Sequence, residues 1–145
     1  MSVQASFVES SLAFRVVGVP VPQGSMIAMI SRTTNRAMVK ASNEKALRAW
    51  RKTVTASCAG LVEKPISVPV LLRLSFALPR PPSIPRSRLL PCVKPDLSKL
   101  VRAVEDSLVD GGVLVDDALV VRIETSKSYA PEGHAPGVLV EIERV

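Results

Sequence analysis

Hydrophobic and polar positions follow two different periods along the chain. Short runs rich in Val, Ile and Leu, bounded by Pro, Gly or polar clusters, are typical of β-strands. Runs of this kind occupy residues 12–18, 26–30, 37–40, 68–78, 118–129 and 137–145. The run 68–78 is apolar along almost its whole length, so we expect it to be a central strand of a sheet.

Two further stretches repeat apolar residues every three or four positions, which is the period of an amphipathic helix. The first begins near Asn43, with Ser42 as its N-cap, and its apolar face is formed by Leu47, Trp50, Val54, Cys58 and Leu61. Trp50 is therefore expected to anchor the core rather than to stack on a base. The second stretch covers 96–109 and ends at a Gly111-Gly112 turn. Its apolar face is formed by Leu97, Leu100, Val101, Val104 and Leu108.

Strands and helices in this order predict an α+β fold, in which one mixed β-sheet carries two main helices. The 145 residues suffice for one domain, residues 1–145, around a single core. A composition that is 47% hydrophobic and 22% charged is typical of globular proteins. Aromatic residues make up only 3% of the chain, which argues against the stacking platforms of single-strand-binding proteins.

The net charge favours a polyanionic partner. The chain has 19 Lys and Arg residues against 13 Asp and Glu, a formal charge of +6, and nucleic acid is the commonest polyanion. Small basic domains that bind no polyanion have the same balance, so charge alone leaves both interpretations open.

The two cysteines, Cys58 and Cys92, share no metal-ligand spacing and do not make a disulfide framework. The first residues do not have the pattern of a signal peptide. No apolar run reaches membrane-spanning length. These features predict a cytoplasmic protein with no membrane partner.

Residues 79–95 combine proline with basic side chains. Six of these residues are proline, which excludes a helix or a central strand. The segment is predicted to be a mobile basic loop that leads into the acidic segment 94–117. A solvated linker is an equally good interpretation.

Acidic residues stand at the start of the second helical stretch and at the start of the strand that follows it. Asp96 stands at the start of the helix, and Asp116 and Asp117 stand where the chain enters the strand. The intervening Gly111-Gly112 turn can fold the strand back beside the helix. Phosphodiester hydrolysis requires a hard cation such as Mg²⁺ with carboxylate ligands, so the segment predicts a metal-dependent phosphodiesterase.

The pattern K-P-D-L-x-x-L-x-R-x-x-x-D-x-L at 94–108, followed by Asp116-Asp117 and Lys127, resembles the RusA family of Holliday-junction endonucleases. The GVPVPQG segment at 18–24, the Trp50 helix and the strand before the proline-rich loop also stand in the family's order. The resemblance implies a RusA-like homodimer that nicks two opposed strands of a four-way DNA junction with Mg²⁺, or alternatively Mn²⁺. It also implies a role in recombination, repair or phage DNA processing, in a bacterial or phage-infected cell.

The resemblance assigns roles to individual residues. Asp96 and Asp117 would hold the metal with Asp116 adjacent, Arg102 falls at the family's catalytic lysine, and Lys127 would be a second catalytic cation. The expected DNA contacts are Lys94, Lys99, Arg86, Arg88, Arg80 and Arg51.

The sequence departs from the family pattern at Ser98, where the family has a second acidic residue, and at Lys99, where it has Asn. Glu105 lies within about 20° of Ser98 around the helix axis, and its long side chain points back towards the N-terminus. We therefore expect Glu105 to join the metal ligands. The alternatives are that Glu105 pairs with Arg102 or faces solvent, and that the protein binds junctions without cleaving them. Asp106 is expected to be structural and to pair with Lys99 or Arg102.

Overall fold

The computed structural model describes residues 11–24, 26–30, 37–41 and 43–145. The described residues form an α+β fold, as the sequence predicted. In chain order the elements are β1 Ser11–Val17, β2 Met26–Ile30, β3 Ala37–Ala41, α1 Glu44–Ser57, β4 Val70–Leu78, α2 Leu97–Asp110, β5 Val120–Tyr129 and β6 Gly137–Arg144. A short 3₁₀ turn, Asp117–Leu119, leads into β5.

Four strands make a mixed sheet in the order β1-β6-β4-β5. Strand β4 is central, as predicted, with β6 antiparallel on one side and β5 parallel on the other. The prediction of one sheet was wrong for β2 and β3, which pair with each other as a separate antiparallel ribbon. Strands so close in sequence pair at a small entropic cost of loop closure. Pro20 and Pro22, which follow β1, have no N–H to continue its ladder.

Both helices lie on one face of this sheet, and the core lies between them and the sheet. Alternate residues of β4 and β6 point into this core, as the two-residue period of a strand requires. Its fully buried members include Leu72, Leu74, Phe76, Val140, Ile142, Leu100, Val104 and Leu108. On the other face, Arg73 of β4 donates to Glu124 of β5 at 2.9 Å and to Glu143 of β6, so charged side chains join three strands there.

Helix α1 buries the predicted stripe. Trp50 is 3% exposed, which confirms that it is a core anchor. Asn43 is the N-cap residue, with a left-handed backbone (φ 49°), while the predicted cap Ser42 lies outside the described residues. The helix ends at Ser57, and Leu61 packs against the core from the loop that follows.

Helix α2 connects the parallel strands β4 and β5. Asp96 is its N-cap residue, and Gly111 and Gly112 end it. A Cβ on Gly111 would lie 2.8 Å from the Cβ of Cys58, so glycine is needed where α2 passes the end of α1. The crossover places Asp96 at the start of α2. It places Asp117 just before β5, whose start lies near the opposite end of the helix. No helix in the described ranges is both long and apolar enough to cross a membrane.

The proline-rich segment 79–95 has a definite set of contacts. The Arg80 guanidinium donates to the carbonyl oxygens of Pro85 and Arg88, at 2.8 Å each. It also lies 4.8 Å from the ring centroid of Tyr129 on β5, a cation–π distance. Arg80 therefore stabilises the described conformation of segment 79–95. The mobility of this segment stays a prediction.

Candidate active site

A groove runs between α2 and the edge strand β5. Residues three or four apart on a helix share one face, and alternate residues of a strand share the other wall. The groove has a volume of about 520 Å³ and is lined by Ser98, Lys99, Val101, Arg102, Glu105, Ile123 and Thr125. We call it the α2–β5 groove. It brings together four positions that the sequence singled out, Ser98, Lys99, Arg102 and Glu105.

Glu105 is the half-buried carboxylate of this groove. Burial raises its pKa, and the negative charges of Asp117 and Asp106 raise it further, while Arg102 lowers it. The charges of Asp117, Asp106 and Arg102 therefore all act on this carboxylate. The predicted role of Glu105 as a metal ligand and the alternative of pairing with Arg102 both stay predictions.

Asp117 begins the 3₁₀ turn before β5, and its neighbour Asp116 caps that turn. The Asp116 carboxylate accepts a hydrogen bond from the Ala118 N–H at 3.4 Å. A hydrogen bond with the Asp116 side chain raises the pKa of Asp117, and burial and the charges of Asp116 and Asp106 act in the same direction. Negative charge is therefore concentrated around Glu105 and Asp117, and it raises the pKa of both groups.

Asp96 lies in a separate hollow at the start of α2, lined by Pro22, Gln23, Gly24, Asn43, Lys94, Pro95, Asp96 and Lys99. We call it the Asp96 hollow. Its carboxylate is 3.9 Å from the Lys99 ammonium. Asp96 and Glu105 are nine positions apart, which corresponds to about 13 Å along the helix axis. Lys99 lines both the hollow and the groove, so the two adjoin.

Gln23, in the GVPVPQG segment, lines the same hollow as Asp96, a placement that the sequence patterns did not predict. Its backbone N–H donates to the carbonyl oxygen of Lys99 at 2.9 Å, and its side-chain Oε1 is buried without a hydrogen-bond partner. A buried amide oxygen without a partner is costly. A single sequence carries no signal that this turn returns to the start of α2.

Within residues 11–24, 26–30, 37–41 and 43–145, no group of three or more His, Cys, Asp or Glu side chains could hold a metal ion. The predicted ligands Asp96, Glu105, Asp116 and Asp117 are thus not assembled in advance as one cage. The donor chemistry at the Asp117 end still suits a hard cation. Glu105 and Asp117 are carboxylates whose negative charges repel each other. Mg²⁺ needs only one or two carboxylate ligands beside water and phosphate.

The predicted cations have different surroundings. Arg102 is exposed on the groove wall. The Lys127 ammonium donates instead to two backbone carbonyl oxygens, those of Val93 at 2.8 Å and Pro95 at 2.7 Å. The Lys127 contact joins β5 to the segment just before Asp96.

The predicted DNA contacts fall into two groups. Arg51 of α1 binds Asp110 at 2.7 Å and Asp106 at 3.8 Å. Asp106 thus pairs with Arg51, and the expected pairing with Lys99 or Arg102 was wrong, because α1 packs across the end of α2. Arg80 is engaged in its own loop. In contrast, Arg86 and Lys94 are exposed and form no ion pair with any residue that the structure describes, and Arg88 also forms none.

The site thus combines carboxylates at the end of a helix–strand groove with basic side chains on the adjoining loop. The sequence has no match among curated proteins. The model of the family Endodeoxyribonuclease RusA matches residues 19–143, which include both helices and the whole acidic segment. Because this match covers most of the 145 residues, the chain belongs to the RusA endodeoxyribonuclease family.

Proposed function

We propose that the protein is a Mg²⁺-dependent endodeoxyribonuclease that resolves four-way DNA junctions by paired nicks, with Mn²⁺ as an alternative cofactor. The observation that carries the proposal is the α2–β5 groove of a RusA-family chain, which Glu105 and Arg102 line, with Asp117 in the turn that leads into β5. Two carboxylates can bind a cation, and an arginine beside them can bind the phosphodiester.

Glu105 and Asp117 are the side chains that would hold the cation, with Asp116 as a neighbour. Burial and nearby negative charge raise the pKa of Glu105, and a hydrogen bond with Asp116 together with nearby negative charge raises the pKa of Asp117. A divalent cation would offset the negative charge. When bound, the cation would polarise phosphate and provide hydroxide near neutral pH. Asp96, in the adjoining hollow, would contribute once DNA spans both parts of the site.

Arg102 would hold the phosphate. It lies on the groove wall near Glu105 and keeps its charge at any working pH. A guanidinium can bind two phosphate oxygens at once, but it cannot release a proton to the leaving oxygen. The leaving group would therefore have to take its proton from water.

The basic side chains of the proline-rich segment would bind the DNA backbone. Arg86, Arg88 and Lys94 are available because no carboxylate within the described ranges pairs with them, whereas Arg51 and Arg80 already have partners. We therefore expect the first three to account for more of the affinity than the last two. Affinity should fall steeply with salt concentration.

Paired nicks need two active sites, and a two-fold homodimer would present them to a symmetric junction. Sedimentation equilibrium of the full chain tests this part directly. A monomer mass at assay concentrations, with junction bound, would exclude paired cleavage by a stable dimer.

The alternative is a protein that binds junctions without cleaving them. Two observations favour it: Ser98 puts an uncharged side chain on the groove, and the described residues contain no ready cluster of three ligands. The two functions predict the same binding and different products.

A synthetic four-way junction with labelled arms separates them. The protein is incubated with the junction and Mg²⁺, beside Asp117→Asn, Glu105→Gln and the control Glu63→Gln, whose residue is exposed and outside the groove. We expect paired nicks from the parent and from Glu63→Gln, and a loss of about a hundredfold or more in Asp117→Asn. Binding without nicks by the parent would establish the alternative. Full activity of Glu105→Gln would remove Glu105 from the ligands and leave the enzyme intact.

A further inference from the structure

Lys127 uses its charged side chain to bind backbone carbonyl oxygens. It projects from β5 on the side of the sheet that carries α2, since its strand partner Phe76 is in the core. Its ammonium has three N–H donors, and two of them are directed at the carbonyl oxygens of Val93 and Pro95, at 2.8 and 2.7 Å. Hydrogen bonds from an ionised donor are stronger than neutral ones, so this contact is a firm attachment of the loop to the sheet.

The two carbonyls belong to a short backbone stretch that leads into the site. They flank Lys94, and Pro95 directly precedes Asp96, the N-cap of α2. Lys94 and Asp96 both line the Asp96 hollow. One ammonium therefore determines where a predicted metal ligand and a predicted phosphate contact stand relative to β5.

The same contacts argue against a direct role in catalysis. A side chain that stabilises developing charge on phosphate must point its donors at the phosphate. Lys127 directs two donors at backbone oxygens, and it does not line the α2–β5 groove. Its ammonium has no carboxylate within ion-pair distance in the parts of the chain that the structure describes.

We propose that Lys127 is a positioning residue, which clips residues 93–95 to β5 and so places Asp96 and Lys94 beside the α2–β5 groove. The proposal rests on the proposed function only in that Asp96 and Lys94 serve metal and DNA there. The clip itself is a property of the folded chain and can be tested without any substrate.

The test compares Lys127→Met, which keeps an unbranched apolar side chain but has no donors, with Lys127→Arg, which keeps donors. Lys64→Met is the matched control, because Lys64 is an exposed lysine outside the site. Backbone hydrogen exchange is measured by mass spectrometry on peptides from 88–99 and from α2. Mn²⁺ affinity is measured by paramagnetic resonance with a nuclease-resistant four-way junction bound, the state in which Asp96 would contribute to the metal site. Melting curves show that each variant is folded at the assay temperature.

Lys127→Met should exchange about tenfold faster or more in 88–99, as expected from losing hydrogen bonds to a charged donor, and unchanged in the centre of α2. With the junction bound, its Mn²⁺ dissociation constant should rise by about tenfold, as for loss of a group that orients a ligand, while its nicking rate at saturating Mn²⁺ stays close to the parent's. Lys127→Arg should fall between the two, and Lys64→Met should match the parent.

Unchanged exchange in 88–99 of Lys127→Met would overturn the proposal. So would faster exchange with unchanged Mn²⁺ affinity, since Asp96 would then not depend on the clip. A large fall in the rate at saturating Mn²⁺, with exchange and affinity unchanged, would make Lys127 a catalytic cation instead. If the parent neither binds Mn²⁺ nor nicks DNA, the proposed function fails, while the exchange measurement still decides whether the clip exists.

Discussion

The carboxylates of Glu105 and Asp117 lie close enough that, after burial, the charge of Asp117 is the strongest influence raising the pKa of Glu105. One residue lies on α2 and the other in the turn before β5. Their proximity therefore depends on the packing of β5 against α2, and the pKa of Glu105 reports on it.

Asp117→Asn should lower the pKa of Glu105, because it removes one of the charges that oppose ionisation. Carbon-13 titration of the Glu105 carboxyl group measures this directly. Asp110→Asn is a suitable control, since Asp110 is not among the groups that shift Glu105. An unchanged Glu105 titration in Asp117→Asn would mean that the two side chains do not approach each other in solution.

Stability should decrease as pH rises through the titration of these groups. Raised pKa values mean that the folded protein binds the protons more tightly than the unfolded chain, whose values are near 4.5 for Glu and 3.8 for Asp. Protonation of these groups therefore increases the free energy of unfolding. This contribution is lost as pH rises from the unfolded-state pKa values through the raised pKa values of the folded protein.

Glu105→Gln should accordingly melt at a higher temperature than the parent at pH 7.5, and the gain should disappear near pH 4. Calorimetry at both pH values measures it, and the exposed Glu63→Gln should show no such dependence. A gain of equal size at both pH values would assign the effect to packing instead of charge.

Leu100→Ala should destabilise the protein by about 2–5 kcal/mol, the usual cost of leaving a cavity in a packed core. Leu100 is fully buried on α2, whereas Leu89 in the proline-rich segment is 79% exposed. Urea unfolding of Leu100→Ala and Leu89→Ala measures the contrast. Equal stabilities would show that α2 does not pack as described.

The two cysteines should differ sharply in reactivity. Cys58 is buried, donates to the carbonyl oxygen of Val54 at 3.3 Å, and burial raises its pKa to about 11, so only about one in a thousand molecules carries the reactive thiolate at pH 8. Cys92 is exposed. Alkylation at pH 8 should therefore modify one thiol quickly and the second only in denaturant, and Cys92→Ser should abolish the fast phase.

Local patterns in the sequence were enough to predict the elements. The stripe through Trp50 and Val54 predicted α1, and the Gly111-Gly112 turn predicted the end of α2, because burial period and backbone conformation are encoded within a few residues. The separation of β2 and β3 from the main sheet depends on which strands pair, and no local pattern encodes that.

The site was predictable only in part for the same reason. The helical period placed Glu105 on the face of Ser98, and the structure agrees. The contacts of Lys127, Gln23 and Arg51 join residues that are 32 or more positions apart or lie on different elements. A side chain's charge can be read from the sequence, but the groups that satisfy it depend on the tertiary fold.

Strand β4 contributes no side chain to the α2–β5 groove, yet it determines which side chains β5 places there. The parallel pairing from Leu71 with Arg122 to Leu78 with Tyr129 directs Thr125 and Lys127 towards α2. A slip of one residue would turn Ser126 and Ser128 to that side and carry Lys127 to the opposite face. Substitutions in the central strand β4 that shift its pairing with β5 could thus remove the groove's side chains from the site, although no residue that lines the groove is changed.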